Sequence, residues 1–525
     1  MDTVTAIEKR RVAMQKRLDA NKTQTARNRL GQFATPALLA SDILVYAGKL
    51  LAEKQPVRFL DPALGTGSFY AALLQHLPSS RVSAAYGIEI DAHYANAARE
   101  LWRDRGLEVE LGDFTMLKPP PANERFNLVI CNPPYVRHHH MSVQEKVRLQ
   151  SATFGACHVR MAGLAGLYCH FLGLAHAWMA DGAIAGWLIP SEFMDVNYGG
   201  PVKRYLLNEV QLLRIHHFDP KDLQFGDALV SSAVVWLRHR RPDRDHRVEL
   251  SYGGTLCRPT YSRKVSGAVL QGARKWTGLA AGDVRKAAEG FRLRDFFYVK
   301  RGLATGDNRF FILSRAEIEA RGLPRQFFTP ILPGPRYLHS DIIEAETDGT
   351  PKVEKQQFLL DCRLPEDVVL REFPQLWSYL ETGRPTVSET YLCSRRNPWY
   401  AQERRPPAPF VCTYMGRNLC KRKKPFRFIL NWSRATAANV YLLLYPVPAL
   451  VTAMEKDPGL ARQMWEFLDS IPAETLLGEG RVYGGGLYKM EPKELGNVRA
   501  DAIAGLLPRA TALPRQGEMF REHTA

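Results

Sequence analysis

Cysteine is scarce and scattered: eight in 525 residues, none in a CxxC pair, and Cys412 and Cys420 lie too far apart to act as paired zinc ligands. That excludes a disulfide framework and a zinc ribbon, and free thiols in a reducing compartment are expected. Long hydrophobic runs are also missing. The most apolar segment, FLGLAHAWMADGAIAGWLIP, is broken by His176 and Asp181, so no membrane span is expected. The N-terminal stretch MDTVTAIEKRRVAMQKRLDANK has no apolar core, which excludes a secretory signal and predicts a cytoplasmic protein. There is no internal repeat and no low-complexity tract. Acid is the deficient charge: 54 Asp and Glu stand against 71 Lys and Arg, a formal net charge of +17. Such a surplus suits a polyanionic partner, most simply nucleic acid, although a solvated basic surface has the same composition. At 45% hydrophobic and 24% charged the composition is that of a globular protein. The chain is too long for one core, which predicts two or three domains.

Residues 1–28 read as a basic helical arm. From 36 to 237 helical and strand patterns alternate. ALLASDILVYAGKLLAE, SFYAALLQHL and AHYANAARELWRDRG have helical spacing, while VRFLD, SAAYGIE, FNLVI, AIAGWLIP and SSAVVWLRH read as strands. The alternation predicts a doubly wound, Rossmann-like α/β sheet with a ligand crevice at the carboxyl ends of its strands. RHRRPDRDHR, 238–247, reads as a linker. It places a first domain at 29–240 and a second, less regular α+β domain at 245–525.

Chemistry concentrates at the strand ends. The first strand runs into DPALGTGSF, Asp61 to Phe69, where Gly65 and Gly67 permit close backbone approach. The turn lacks both the third glycine of a dinucleotide fingerprint and the GK[ST] of a phosphate loop. It opens instead on an acid, which suits a cationic, phosphate-free ligand. The next strand ends in GIEID, placing Glu89 where such sheets hold ribose hydroxyls. The third ends in GDF, where Asp113 can accept from an exocyclic amine and Phe114 can stack on a purine. Each acid alone is an ordinary strand terminus. Together they suit a cationic amino-acid group, a ribose and an adenine, the parts of S-adenosylmethionine. The fourth strand stops in CNPPY, Cys131 to Tyr135. Two prolines end the strand and fix a backbone carbonyl beside the Asn132 amide. Two acceptors so placed can hold both protons of a planar exocyclic amine, and Tyr135 offers a face for a base. Cys131 reads as a small buried strand residue.

The ordered set GQFATP, DPALGTGSF, GIEID, GDF, CNPPY resembles the gamma class of amino-methyltransferases, the N6-adenine DNA methyltransferases of TaqI-like type. The resemblance implies S-adenosylmethionine as methyl donor. Its contacts would be Phe33, Thr35 and Pro36, then Asp61, Pro62, Ala63 and Gly65, then Glu89, Ile90, Asp113, Phe114 and Asn132. It implies a catalytic turn of Asn132, Pro133, Pro134 and Tyr135, with Tyr135 and Phe225 stacking on a base flipped out of the helix.

Further on, RGLATGDNRFF (301–311) and NWSRATAANVYLLLYP (431–446) resemble target-recognition segments of PstI/BsuBI-type methyltransferases. Arg301, Asn308, Arg309, Asn431, Ser433 and Arg434 are the implied DNA contacts. KRKKPFRF, 421–428, interleaves cations and aromatics, so Lys421, Arg422, Lys423 and Lys424 are expected on phosphates, against the alternative of a solvated face. His138–His140 reads as a loop over the cleft with no metal, and no nuclease motif is apparent. The expected function is site-specific adenine-N6 methylation of double-stranded DNA in a bacterial restriction-modification system, with a separate restriction endonuclease as functional partner. Methylation of RNA or of a protein glutamine, or an inactive DNA-binding module, are the alternatives.

Overall fold

The computed structural model describes residues 4–23, 26–27, 30–219, 231–279, 290–417, 424–483 and 487–506. They build two compact units, the first centred on Met1–Lys286 and the second on Ala287–Val482.

In the first unit nine strands share one sheet. They are β1 (Val57–Asp61), β2 (Val82–Glu89), β3 (Leu107–Leu111), β4 (Phe126–Cys131), β5 (Met179–Pro190), β6 (Gln211–His217), β7 (Ser232–Arg238), β8 (Arg247–Gly254) and β9 (Pro259–Ser266). The order across the sheet is β3-β2-β1-β4-β5-β7-β6-β8-β9. The strands from β3 to β5 run parallel, and β7 is antiparallel to both its neighbours. Strand order reverses between β1 and β4, and the crevice of a doubly wound sheet opens at such a switch point. The expected Rossmann-like architecture is therefore present. Alternating residues feed two cores. Leu60, Val129 and Cys131 enter one layer with Phe171 and Trp187, while Phe59, Leu128 and Ile130 enter the other with Tyr70 and Trp236.

Four helices matter for the site: α1 (Val4–Ala20), α2 (Ala37–Leu50), α3 (Ser68–His76) and α4 (Ala92–Trp102). Helix α2 starts behind Pro36, whose extended backbone forms its N-cap. Helix α3 starts from Gly67 at φ 86°, where a Cβ would lie 2.6 Å from the Trp102 indole nitrogen. Asp91 caps α4 by accepting the His93 N–H at 3.0 Å.

One expectation about organisation changes. The sheet does not stop at 240: β8 and β9 extend it, and RHRRPDRDHR spans the connection from β7 into β8. That run is charged because it is a surface connection. It is tied to the sheet by the Arg240 side chain donating to Gln211 at 2.9 Å and by the His239 N–H on the Ala183 carbonyl at 2.8 Å. The basic N-terminal arm is helical as expected, and α1 is docked through Ile7, Arg11 and Leu18, which are buried.

The second unit mixes sheets and helices, as an α+β domain should. One sheet orders Phe297–Arg301, Tyr441–Pro446, Phe410–Thr413, Phe428–Asn431 and Ile342–Ile343; another orders Ile312–Ser314, Gln357–Leu360, Phe328–Leu332 and Thr436–Ala437. Helices Pro448–Lys456 and Leu460–Ser470 pack their apolar faces on the first of these sheets.

Candidate active site and nucleic-acid-facing surface

Strand β1 delivers Asp61 to the crevice edge. Its carboxylate is buried and accepts the Ala63 N–H at 3.1 Å. Burial, reinforced by the nearby Glu89 charge, pushes its pKa up to about 8. Gly65 follows at φ 57° with open space where a Cβ would sit, so a ligand can lie against the backbone here. Its N–H donates to one Glu89 oxygen at 2.8 Å, and the Asp91 N–H donates to the other at 2.9 Å. Glu89 is thus fixed at the end of β2, with its pKa raised by burial. Each carboxylate oxygen keeps a second lone-pair position for a ligand. Beside it Ile90 stands 61% exposed, a bulky apolar surface held in solvent next to a fixed acid. Asp113 accepts the Thr115 N–H at 2.9 Å. Phe114 departs from expectation. Its ring is buried, 5.0 Å from Phe171 and 5.4 Å from Trp178, and belongs to the core rather than to an open stacking platform.

The catalytic-turn candidate closes β4. Asn132 donates through Nδ2 to the Phe33 carbonyl at 2.9 Å and to the Thr35 hydroxyl at 3.1 Å. A carbonyl can only accept, so these bonds set which way the amide lies. The Asn132 oxygen is buried and has no partner. Pro133 and Pro134 follow, and Tyr135 is half-buried with its hydroxyl donating to the Leu188 carbonyl at 3.1 Å. That bond fixes the ring, and burial raises its phenol pKa well above the ordinary value.

GQFATP lies directly on this turn. The Tyr135 N–H donates to the Gly31 carbonyl at 3.2 Å, and the Phe33 and Tyr135 rings stand 5.7 Å apart. The Ser68 hydroxyl donates to the Thr35 carbonyl at 3.0 Å, joining the same segment to the start of α3. The structure therefore brings Phe33, Thr35 and Asn132 together. It also gives Gly31 a role that GQFATP alone does not disclose: a Cβ there would lie 2.4 Å from the Tyr135 nitrogen. Phe225 lies outside the described residues. His138–His140 form a short 3-10 turn, and among the described residues no group of three His, Cys, Asp or Glu is placed to hold a metal.

In the second unit the proposed DNA contacts separate. Asn308 and Arg309 are exposed on an open depression of about 500 Å³ lined by Ala304–Arg309, Leu392 and Asn439. The Thr305 hydroxyl donates to the Asn308 side-chain oxygen at 2.7 Å. Arg301 is exposed, its guanidinium 4.1 Å from the Tyr414 ring centroid. Asn431 and Ser433, by contrast, face inward. Asn431 donates to the Ala408 and Ala435 carbonyls at 3.2 and 3.0 Å and accepts the Ser433 hydroxyl at 2.6 Å. Both are turn-builders, and the turn they lock displays Arg434 and a 44% exposed Trp432. Lys424 is also engaged, on the Asp469 carbonyl and carboxylate. Lys421, Arg422 and Lys423 lie outside the described residues. Asn431→Ala should therefore destabilise the second unit by about 1–3 kcal/mol, because its buried partners lose their bonds. Urea unfolding would read this, and unchanged stability would return Asn431 to the set of DNA contacts.

The strand order with antiparallel β7, the Gly-rich turn after β1 and the acid ending β2 define the S-adenosylmethionine-dependent methyltransferase fold. Residues 80–224 match the family described as Eco57I restriction-modification methylase, and residues 279–524 match the Type II methyltransferase M.Eco57I, C-terminal domain. The Type II methyltransferase M.XamI of Xanthomonas campestris pv. amaranthicola is 28% identical over 489 residues, 91% of this chain and 86% of that protein. The tRNA1(Val) (adenine(37)-N6)-methyltransferase of Vibrio parahaemolyticus is 32% identical over 94 residues, 17% of this chain and 37% of its own. Among solved structures, the Type IIL restriction-modification enzyme MmeI in complex with DNA has a similar fold, with a TM-score of 0.51 at 12% identity, covering 80% of this chain and 60% of that one. The protein is an S-adenosylmethionine-dependent DNA methyltransferase of the restriction-modification kind. No helix among the described residues is long and apolar enough to cross a membrane.

Proposed function

We propose that the protein methylates the N6 amine of adenine at a specific site in duplex DNA, and that the target base leaves the helix to reach the crevice. The observation that carries this reading is Asn132, whose amide nitrogen is held by two acceptors while its buried oxygen has no partner. A buried orphan acceptor is costly, and an exocyclic amine proton would satisfy it. The prolines hold the following carbonyl for the amine's second proton. With both protons engaged, the nitrogen lone pair is released from the ring. Tyr135, anchored through its hydroxyl, offers its ring face to the base. Phe225 is proposed for the opposite face. Extrusion of the base costs a few kcal/mol, which contacts from Arg301, Asn308, Arg309 and Arg434 in the second unit would offset.

S-adenosylmethionine, when bound, supplies an electrophilic methyl group. Glu89 would hold its ribose hydroxyls, Ile90 would lie on the adenine, Asp113 would accept from the adenine amine, and Asp61 with Gly65 would receive the cationic amino-acid end. Phe33, Thr35 and Pro36 would cover it, beside Asn132. The relative named as an adenine-N6 methyltransferase supports adenine as the acceptor, and the second unit's match to a Type II methyltransferase domain supports DNA. The setting would be the bacterial cytoplasm, with a restriction endonuclease of the same specificity as functional partner.

Asp61 gives this reading a proton signature. With its pKa at about 8, Asp61 keeps its proton at pH 7 in the free protein. A cationic group beside it favours the carboxylate and lowers that pKa. Binding of S-adenosylhomocysteine at pH 7 should therefore release protons. The release should fade above about 8, where Asp61 is ionised with or without ligand, and in acid, where it is protonated in both states. Calorimetry in buffers of different ionisation enthalpy reads the release, and Asp61→Asn should abolish it. Zero release in the unaltered protein would move the cationic group away from Asp61.

The reading as a whole is tested by incubating the purified protein and S-adenosylmethionine with plasmid DNA and with bulk RNA, followed by nucleoside mass spectrometry. N6-methyladenine in the DNA alone is expected. N4-methylcytosine, or methylation confined to RNA, would overturn it.

A further inference from the structure

Helix α1 carries Arg11, Gln15, Leu18 and, just beyond its end, Lys22 at spacings that bring them to one face. That face lies against the elements flanking the crevice, not only against core. Arg11 is 2% exposed. Two of its nitrogens engage the two Glu8 oxygens, each at 2.7 Å, and the third donates to the Thr66 hydroxyl at 3.0 Å. Thr66 in turn donates to the Gln15 side-chain oxygen at 2.6 Å. The backbone carbonyl of Thr66 accepts the Trp102 indole N–H at 2.9 Å. Both functions of the hydroxyl are therefore used, and its orientation is set by α1. Thr66 sits between Gly65 and Gly67, both left-handed at φ 57° and 86°. Two such glycines give the segment little stiffness of its own, so its shape depends on outside restraint.

The C-terminal end of the helix reaches the second flank. The Lys22 ammonium pairs with the Asp91 carboxylate, which also accepts from Gln32 at 2.9 Å. The Tyr94 hydroxyl donates to Asp19 at 2.8 Å. The Gly65 and Asp91 N–H groups are the two donors that fix Glu89. One helix thus restrains both segments that hold the carboxylate proposed for the ribose. Burying a guanidinium carries a desolvation cost that an apolar docking face would avoid, so helix docking alone does not account for Arg11.

We infer that α1 belongs to the cofactor machinery: Arg11 is a positioning residue that sets the Thr66 segment of the cofactor loop, so that docking of the N-terminal helix and binding of the cofactor favour each other. The inference rests on the reading of Asp61–Phe69 and Glu89 as cofactor-binding. Because coupling is reciprocal, ligand should protect the helix as much as the helix assists the ligand.

The test uses the full chain and S-adenosylhomocysteine as probe, with Thr66→Val removing the hydroxyl at nearly constant volume and Thr66→Ser retaining it. Calorimetry should show Thr66→Val weakening binding about tenfold, as for one lost hydrogen bond to a charged group, and Thr66→Ser restoring it to within about twofold. Hydrogen exchange should show the ligand slowing amides within residues 4–20 in the unaltered protein and in Thr66→Ser, but not in Thr66→Val. A helix that merely packs would give ligand-independent exchange there. Glu89→Ala separates the two layers of the argument. If Glu89→Ala leaves affinity unchanged, the site reading fails. If Glu89→Ala weakens binding while Thr66→Val binds normally and the helix gains no protection, the coupling is overturned.

Discussion

Asn132→Ala should lower kcat on the order of 10²–10³-fold, the size of effect seen when one preorganised polar group is removed from a reacting centre. Cofactor affinity should fall far less than kcat, since Asp61, Gly65 and Glu89 keep their bonds and only the Asn132 bonds to Phe33 and Thr35 are lost. The Asn132 side-chain oxygen is buried, oriented and without a partner. Its orientation comes from bonds to the opposite end of the amide, so the group is preset before any base arrives. Truncation removes the acceptor without disturbing Asp61, Gly65 or Glu89. Single-turnover methyl transfer and calorimetry with S-adenosylhomocysteine separate the two effects. Near-normal turnover would remove Asn132 from the chemistry, and lost cofactor binding would make the residue structural.

Gly31→Ala should be the second severe change, although Gly31 is proposed to touch neither base nor cofactor. A methyl group there would lie 2.4 Å from the Tyr135 nitrogen and 2.8 Å from its carbonyl carbon, at a φ of 64°. Both neighbours are backbone, so no rotamer change relieves the clash. The left-handed conformation adds about 1–2 kcal/mol for any residue with a Cβ. The segment Gly31–Thr35 must then lift from the turn, and the Phe33 and Thr35 acceptors leave the Asn132 nitrogen. With its amide free to rotate, the site loses its orientation, and kcat should fall on the order of 10²-fold, as for a misplacement of about 1 Å. The melting temperature should also fall. A variant with full turnover would show that GQFATP lies beside the turn without orienting it.

The central sheet was legible because strands such as AIAGWLIP in β5 are buried along their length and read as near-continuous apolar runs. The edge strands were not. β9, PTYSRKVS, is mostly solvent-facing, so its sequence carries no apolar signature, and the boundary was drawn too early, at the charged run before β8. Helix α1 reads as a basic arm because its docked face carries Arg11 and Gln15, polar groups whose partner Thr66 lies far along the chain. Phe114 shows the same limit. An aromatic after a strand-end acid suggests stacking on a ligand, but Phe171 and Trp178, which bury it, arrive from later elements. Asn431 and Ser433 have side chains equally suited to DNA and to turn-building, and only the local bonds decide for the turn. The strand-end acids and CNPPY were legible because a parallel sheet fixes where its carboxyl ends lie.

The central claim is that this crevice methylates adenine N6 at one DNA site through the Asn132 turn. Methylation-aware sequencing of DNA from cells expressing the unaltered protein, beside cells expressing Asn132→Ala at equal level, tests it most directly. The account predicts N6-methyladenine at a single recurring sequence in the first sample and none in the second. Methylated cytosine, adenine methylation without a common sequence, or methylation that persists in Asn132→Ala would contradict it.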